Sequence, residues 1–60
     1  MFYVQKRYGM MYRTFVTTTS LREAMEAYEY SIRNEPWCEW QVVKVENGEG
    51  YVTHSHKPTK

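Results

Sequence analysis

A single amphipathic helical segment lies in the middle of the chain, between two stretches rich in β-forming residues. Ser20 followed by Glu23 matches a capping box and predicts a helix that begins at Leu21. Apolar residues then recur every three or four positions, as Leu21, Ala24, Met25, Tyr28 and Ile32. The sequence Asn34-Glu35-Pro36 ends the helix, because the residue before a proline is disfavoured in the helical conformation. The β segments therefore have one helix to cover them.

Two β-rich segments precede this helix. Phe2 to Arg7 and Met10 to Thr18 are separated by Tyr8-Gly9, and this pattern predicts a short hairpin. The three threonines before Ser20 fit an extended exit from the second strand, because β-branched side chains lose rotamer freedom in helices.

Two more β-rich segments follow the helix. Cys38 to Glu46 and Tyr51 to His54 are joined through Asn47-Gly48, a pair that favours a two-residue type I′ turn. The complete order predicts an α+β fold, ββαββ, with one amphipathic helix packed on a small antiparallel sheet.

The length of 60 residues limits this fold to one domain. We expect a single globular domain over residues 1–54 and a flexible, polar C-terminal tail over residues 55–60. No apolar run approaches the length of a membrane span, and the single cysteine, Cys38, has no internal disulfide partner. These features predict a cytoplasmic protein with no membrane association, and the small size argues against a deep catalytic cleft.

The third strand predicts an uncovered apolar face. Cys38, Trp40 and Val42 fall on one side of the strand, whereas Val43 and Val45 fall on the other. One helix covers one face only. Apolar groups on the far face therefore indicate a partner or a homodimer, unless a bulge switches the register.

The aromatic content is larger than such a small core requires. Two Phe, two Trp and six Tyr occur in the chain. Some of these rings must face outward, and we expect Tyr30, Trp37 and Tyr51 to contact a partner, because Trp and Tyr dominate binding hot spots. Trp40 fits either the core or the interface, and the sequence favours the core.

Charge is divided into blocks along the chain. The net charge is +3 over residues 1–20 and −4 over residues 21–50. Spaced carboxylates on the helix and the following loop form a predicted acidic ridge of Glu23, Glu26, Glu29, Glu35 and Glu39. A charged outer helix face is ordinary, but such a ridge also fits the basic groove of a nucleic-acid enzyme and speeds association.

The first hairpin suggests an alternative, a nucleic-acid-binding module. Cations and stackable rings alternate there as Lys6, Arg7, Tyr8, Tyr12 and Arg13. Seven acidic residues and a net charge of +1 weaken this alternative, because phosphate binding depends on cationic charge.

Catalytic and metal-binding patterns are weak in this sequence. His54 and His56 with Cys38 provide donor types that zinc uses, but two histidines on a predicted tail indicate a solvated segment more often than a metal site. Cys38 has no Cys-His motif beside it. We therefore predict no catalytic residue, no cofactor and no metal.

Two segments resemble small phage-encoded inhibitors of host enzymes. These segments are Ser20 to Glu26 and Trp40 to Val45, and the similarity is greatest to inhibitors of bacterial RNA polymerase and looser to anti-CRISPR proteins. The resemblance implies stoichiometric binding to a host protein through basic residues of the strand. Lys44 matches one such position, and Glu46 stands at the next. The expected function is a small non-catalytic protein-binding domain that blocks a host nucleic-acid enzyme sterically.

Overall fold

The structure is a four-stranded antiparallel sheet covered on one face by one helix. A computed structural model describes residues 1–58. The elements are β1 (Phe2–Tyr8), β2 (Met11–Thr18), α1 (Leu21–Asn34), β3 (Trp40–Glu46) and β4 (Glu49–His56). The strand order is β2-β1-β3-β4, so β1 and β3 are central. The predicted α+β fold with ββαββ order is confirmed.

Both predicted hairpins form. Asn47 and Gly48 have φ values of 54° and 80°, and a type I′ turn requires positive φ at both central residues. In the first hairpin Gly9 has φ of 62°, and Met10 follows it in the turn instead of starting the second strand as predicted.

The last strand is longer than the sequence predicts. Gln41 pairs with Ser55 and Trp40 pairs with His56, so Ser55 and His56 belong to β4 instead of the predicted tail. Residues 57 and 58 follow the strand. The remaining two residues of that predicted tail, 59 and 60, lie outside the described part of the chain.

The helix begins at the predicted residue, but its cap differs from a complete capping box. The Ser20 hydroxyl accepts a hydrogen bond from the Glu23 amide at 3.2 Å, as predicted. The Glu23 carboxylate does not bond to the Ser20 amide. Instead it accepts from the Thr18 hydroxyl at 3.1 Å, and the same hydroxyl accepts from the Ser20 amide at 3.1 Å. Thr18 therefore links the end of β2 to the first turn of α1.

The core lies between α1 and the two central strands. Val4 and Val42, from β1 and β3, are fully buried beneath the helix, and Ala24 is fully buried on the helix side. Tyr28 and Trp40 complete this cluster. Since side chains alternate along a strand, Val43 and Val45 lie on the open face of the sheet, as predicted.

Two register shifts adjust the edge strands. In β2, Val16 pairs with Val4 and Thr14 with Gln5, which leaves Phe15 as an extra residue. In β4, the shift between Val42 and Val43 leaves Thr53 unpaired. A bulge of this kind breaks the alternation of faces. Phe15 and Val16 consequently both lie on the helix side of the sheet, where both line a groove beside α1.

Within residues 1–58, the helix α1 lacks the length and apolar character needed to cross a membrane.

The two tryptophans provide a matched test of this core. Trp40 is 3% exposed and its indole donates to the Glu35 carbonyl at 3.0 Å, whereas Trp37 is 68% exposed. We expect Trp40→Ala to lower the free energy of unfolding by about 3–5 kcal/mol, because it leaves a large cavity. Trp37→Ala should change it by less than about 0.5 kcal/mol. Urea denaturation of both variants measures the difference, and equal effects would contradict this description of the core.

Candidate functional site

An open groove lies between the C-terminal half of α1 and β2. Its volume is about 310 Å³. Phe15 and Val16 line the strand side, and Trp40 contributes to the lining from the central sheet. The helix side is lined by Ala27, Tyr30, Ser31 and Asn34. The groove is mainly apolar, with an amide and a hydroxyl available on the helix.

A row of aromatic rings leads from the first hairpin into this groove. The Phe15 ring lies 5.9 Å from Trp40 and 6.3 Å from Tyr8, measured between centroids. Phe15 is 54% exposed and Tyr30 is 67% exposed, although both are large apolar side chains. Exposed rings next to a concave apolar surface are typical of sites that bind another molecule.

Two cations accompany the aromatic row. Lys6 Nζ lies 5.0 Å from the centroid of Tyr8 and 5.6 Å from that of Trp40. Arg13 Cζ lies 5.5 Å from the Tyr8 centroid. These distances are in the range of cation–π attraction.

Glu35 joins the groove to the rest of the fold. Its carboxylate accepts a 2.7 Å hydrogen bond from Lys6 Nζ, and its carbonyl accepts from the Cys38 amide at 3.1 Å as well as from the indole of Trp40. The bond from Lys6 lowers the pKa of Glu35, and the same bond raises the pKa of Lys6. Glu35 is therefore an ionised structural group and a poor proton acceptor.

A second charged cluster lies on the open face of the sheet. Arg7 Nη1 lies 3.2 Å from the nearer Glu39 carboxylate oxygen, and the Tyr12 hydroxyl donates to the other oxygen at 2.6 Å. The bond from Tyr12 is the main cause of the lowered pKa of Glu39, and it raises the pKa of Tyr12. This cluster ties β1, β2 and the start of β3 together.

The predicted acidic ridge does not form one continuous surface. Glu35 and Glu39 are bonded to Lys6 and Arg7. At 100° per residue, Glu23 points in the same direction as the groove residues of α1, Glu26 points outward one turn before Tyr30, and Glu29 lies on the opposite flank.

Glu26 and Glu29 also differ in whether they form an ion pair with the arginine four residues away. Glu26 lies 3.6 Å from Arg22, as the four-residue spacing predicts. Among the described residues, no ion pair joins Glu29 to Arg33.

The other predicted partner residues are separated from the groove. Lys44 and Tyr51 are cross-strand neighbours at the opposite end of the sheet, about 13 Å from Trp40 by strand rise. Lys44 pairs with Glu46 at 3.2 Å, and the Tyr51 hydroxyl donates to Glu49, which raises the pKa of Tyr51. Trp37 is exposed on the loop before β3 and does not line the groove. Tyr30 and Glu35 are the predicted residues that do.

The basic hairpin is divided between the two faces of the sheet. Lys6, Tyr8 and Arg13 lie on the helix face, whereas Arg7 and Tyr12 lie on the open face. Strand alternation makes this division unavoidable for neighbouring residues. Lys6 and Arg7 are already paired with carboxylates, so the hairpin offers less free cationic charge than its sequence suggests.

Sequence reasoning missed the groove itself. Phe15 was not among the predicted site residues, because a bulge is not visible in the sequence and strict alternation from Val16 and Thr18, which face the helix, would place Phe15 on the open face. The β-bulge leaves Phe15 on the helix side of the sheet together with Val16, so that both line the groove. Asn34 also lines the groove, although the sequence marks it only as part of the helix end.

The three side chains of zinc-binding type, His54, His56 and Cys38, do not lie together in the structure. His54 lies against Tyr28, with ring centroids 6.0 Å apart, and His56 contacts the Pro36 carbonyl at 3.0 Å. Cys38 contacts Glu35 instead. Within residues 1–58, no group of three or more His, Cys, Asp or Glu is arranged to hold a metal ion.

Comparison with protein-family models, with curated proteins and with solved structures finds no match. The function must therefore be inferred from the geometry of the chain itself.

The two bonded carboxylates predict an acid-sensitive fold. A lowered folded-state pKa stabilises the protein above the ordinary value of 4.5, and this stabilisation is lost as the pH falls through the folded values of Glu35 and Glu39. We expect the melting temperature of the wild type to decrease when the pH is lowered below about 4.5. The Glu35→Gln, Glu39→Gln double variant should have a lower melting temperature than the wild type at pH 7. Its melting temperature should also decrease less on acidification.

Glu29→Gln is the control for this pH series, because Glu29 makes no ion pair among the described residues. Its melting profile should follow that of the wild type. Identical profiles for all three proteins, measured by circular dichroism, would contradict the assigned role of the two clusters.

Proposed function

We propose that this chain is a non-catalytic protein-binding domain that recognises its partner through the groove between α1 and β2. The observation that carries the proposal is the pair of exposed rings, Phe15 and Tyr30, on opposite walls of an apolar groove with the buried Trp40 beside them. Aromatic side chains bury large areas at little cost in conformational entropy, and they concentrate binding energy. A groove of about 310 Å³ accommodates one or two apolar side chains of a partner.

The proposed partner is a bacterial enzyme that acts on nucleic acid, and the proposed effect is steric inhibition. Glu23 and Glu26 support this choice, because Glu23 lies on the groove side of α1 and Glu26 lies one turn before Tyr30, where both would meet the basic surface of such an enzyme. Carboxylates placed beside an aromatic anchor speed association, while the anchor slows dissociation. Phage origin and RNA polymerase as the target follow from the sequence resemblance alone and belong to this proposal.

Direct nucleic-acid binding has less support. Of the three hairpin cations, Lys6 and Arg7 bond to carboxylates of the chain, which leaves Arg13 without a carboxylate partner among residues 1–58. An interface with few free cations releases few counterions, so phosphate binding should be weak.

A pair of tyrosines tests the groove. Tyr30 and Tyr51 are both more than half exposed, but Tyr51 lies at the far end of the sheet. With purified bacterial RNA polymerase immobilised as the probe, we expect Tyr30→Ala to weaken binding at least about thirtyfold, as removal of a hot-spot residue does. Tyr51→Ala should leave the affinity within about twofold.

Two further binding experiments accompany the measurement on RNA polymerase. Capture of lysate proteins by wild type and by Tyr30→Ala shows whether another enzyme depends on the groove. Single-stranded DNA and RNA oligonucleotides test the alternative. Equal affinity of both tyrosine variants for every captured protein, or tight oligonucleotide binding with a steep salt dependence, would overturn the proposal.

The helix carboxylates provide a kinetic test. Glu26→Lys places a cation one turn before Tyr30 of the groove, whereas Glu29→Lys places one on the opposite flank of α1. We expect Glu26→Lys to slow association with the captured enzyme several-fold at low salt, and Glu29→Lys to slow it less. Surface plasmon resonance at two salt concentrations measures both rates. Equal association rates for the two variants would remove the carboxylates from the recognition mechanism.

A further inference from the structure

β2 is an outer strand of the sheet, so one of its two backbone edges has no partner strand within residues 1–58. The bonds between β1 and β3 show which backbone groups lie on that edge. The Arg7 amide donates to the Glu39 carbonyl at 2.9 Å, and the Val45 amide donates to the Met1 carbonyl at 2.8 Å. Since bonded and non-bonded pairs alternate along an antiparallel ladder, odd-numbered residues of β1 bond to β3 and even-numbered residues bond to β2.

This alternation divides the backbone groups of β2 between its two edges. The residues that pair with the even-numbered positions of β1 turn their N–H and C=O groups inward, and they are Met11, Arg13, Val16 and Thr18. The residues that pair with the odd-numbered positions turn these groups outward, and they are Tyr12, Thr14 and Thr17. The strand contains no proline, and Arg13 is its one charged residue. Such an edge can pair with a strand of another chain.

The groove beside α1 lies along the same strand. Phe15 and Val16 form its strand side, and none of its lining residues comes from β4, the other outer strand. A strand added to β2 would lie about 4.8 Å from it. Side chains of paired residues share one face of a sheet, so the side chain opposite Val16 would project toward the helix. An added strand would therefore place an apolar side chain in the groove.

Charges of opposite sign lie at the two ends of this edge. Near the hairpin, the exposed Arg13 lies 5.5 Å from the Tyr8 centroid, and among residues 1–58 no carboxylate pairs with it. At the other end of β2, the Thr18 hydroxyl holds the Glu23 carboxylate at 3.1 Å. A complementary strand has an acidic residue opposite Arg13, an apolar residue opposite Val16 and a basic residue opposite Thr18.

We propose, on the basis of the function proposed above, that the partner supplies an extended protein segment that adds to β2 as a fifth, antiparallel strand. Antiparallel pairing continues the pattern of the sheet. It fixes the order of the segment from its N-terminus as basic, apolar and acidic at alternate positions. Backbone hydrogen bonds to Thr14 and Thr17 supply affinity, and the groove and the two charges supply specificity.

Two N-methylated peptides test the strand pairing. The probe is the capped peptide Thr-Lys-Thr-Leu-Thr-Asp-Thr, which we expect to bind the wild type with a dissociation constant of about 1 mM or less. The amides of its two inner threonines would face β2, so N-methylation of both should weaken binding at least about tenfold. N-methylation of the leucine and the aspartate, whose amides would face away from β2, should change binding less than about twofold. Fluorescence anisotropy measures each dissociation constant.

Amide hydrogen exchange locates the peptide on the protein. At a peptide concentration about ten times the dissociation constant, exchange of the Thr14 and Thr17 amides should slow at least about fivefold. Val52 and Ser55 provide the matched control, because their backbone groups point outward from β4 in the same way. Their exchange rates, measured by NMR in the same samples, should stay unchanged.

A charge reversal tests the direction of the strand. Arg13→Glu should weaken binding of the peptide about fivefold, and a peptide with lysine in place of aspartate should recover this loss. Lys44→Glu makes the same change of charge on β3, two strands away from β2, and should leave the affinity within about twofold. Circular dichroism confirms that both variants are folded.

The outcomes separate strand addition from the proposed function. No peptide binding at about 1 mM, equal binding of both N-methylated peptides, or unchanged exchange at Thr14 and Thr17 would overturn strand addition. Loss of enzyme binding by Tyr30→Ala would still support the groove as the partner site in each of these cases. If Tyr30→Ala instead binds the enzyme as the wild type does, the proposed function fails, whatever the peptides do.

Discussion

The arrangement of this fold depends on the contacts of Glu35 at the end of α1. Its carboxylate holds Lys6 of β1, while its carbonyl holds the indole of Trp40 and the amide of Cys38. One residue thereby fixes the last turn of the helix to both central strands. Because a charge-assisted bond of 2.7 Å and a buried indole share this residue, the helix cannot shift along the sheet without breaking several bonds together. The groove beside α1 has its shape because this end of the helix is fixed.

The two faces of the sheet have different roles in this interpretation. On the helix face, the bulge at Phe15 adds a ring to the row that Tyr8 and Trp40 form, and the row ends in the groove. On the open face, glutamines and valines occupy the part of the sheet away from the Arg7–Glu39 pair. The aromatic and valine side chains that exceed what one small core can hold are thereby divided between the two faces of the sheet.

Local signals in the sequence predicted most of the fold. The Ser20 cap, the Asn47-Gly48 turn and the apolar period of α1 each depend on neighbouring residues, and each prediction agrees with the structure. Long-range contacts were less predictable. Glu35 and Glu39 were expected on a free acidic ridge, but they lie beside cations nearly thirty or more positions away in the chain. Periodicity also does not reveal a bulge, so Phe15 of the candidate site was missed.

The strand order has a consequence for how the chain is made. β1 is synthesised first but occupies the centre of the sheet, and its second neighbour, β3, follows more than thirty residues later. Until then the first hairpin has one unpaired inner edge, although α1 precedes β3 in the chain and is already available to cover the apolar face of the hairpin. Contacts between distant residues slow folding, and unpaired strand edges promote aggregation. The nascent chain is therefore vulnerable until β3 leaves the ribosome, and Lys6 and Arg7 on the exposed strand provide repulsive charge during that interval.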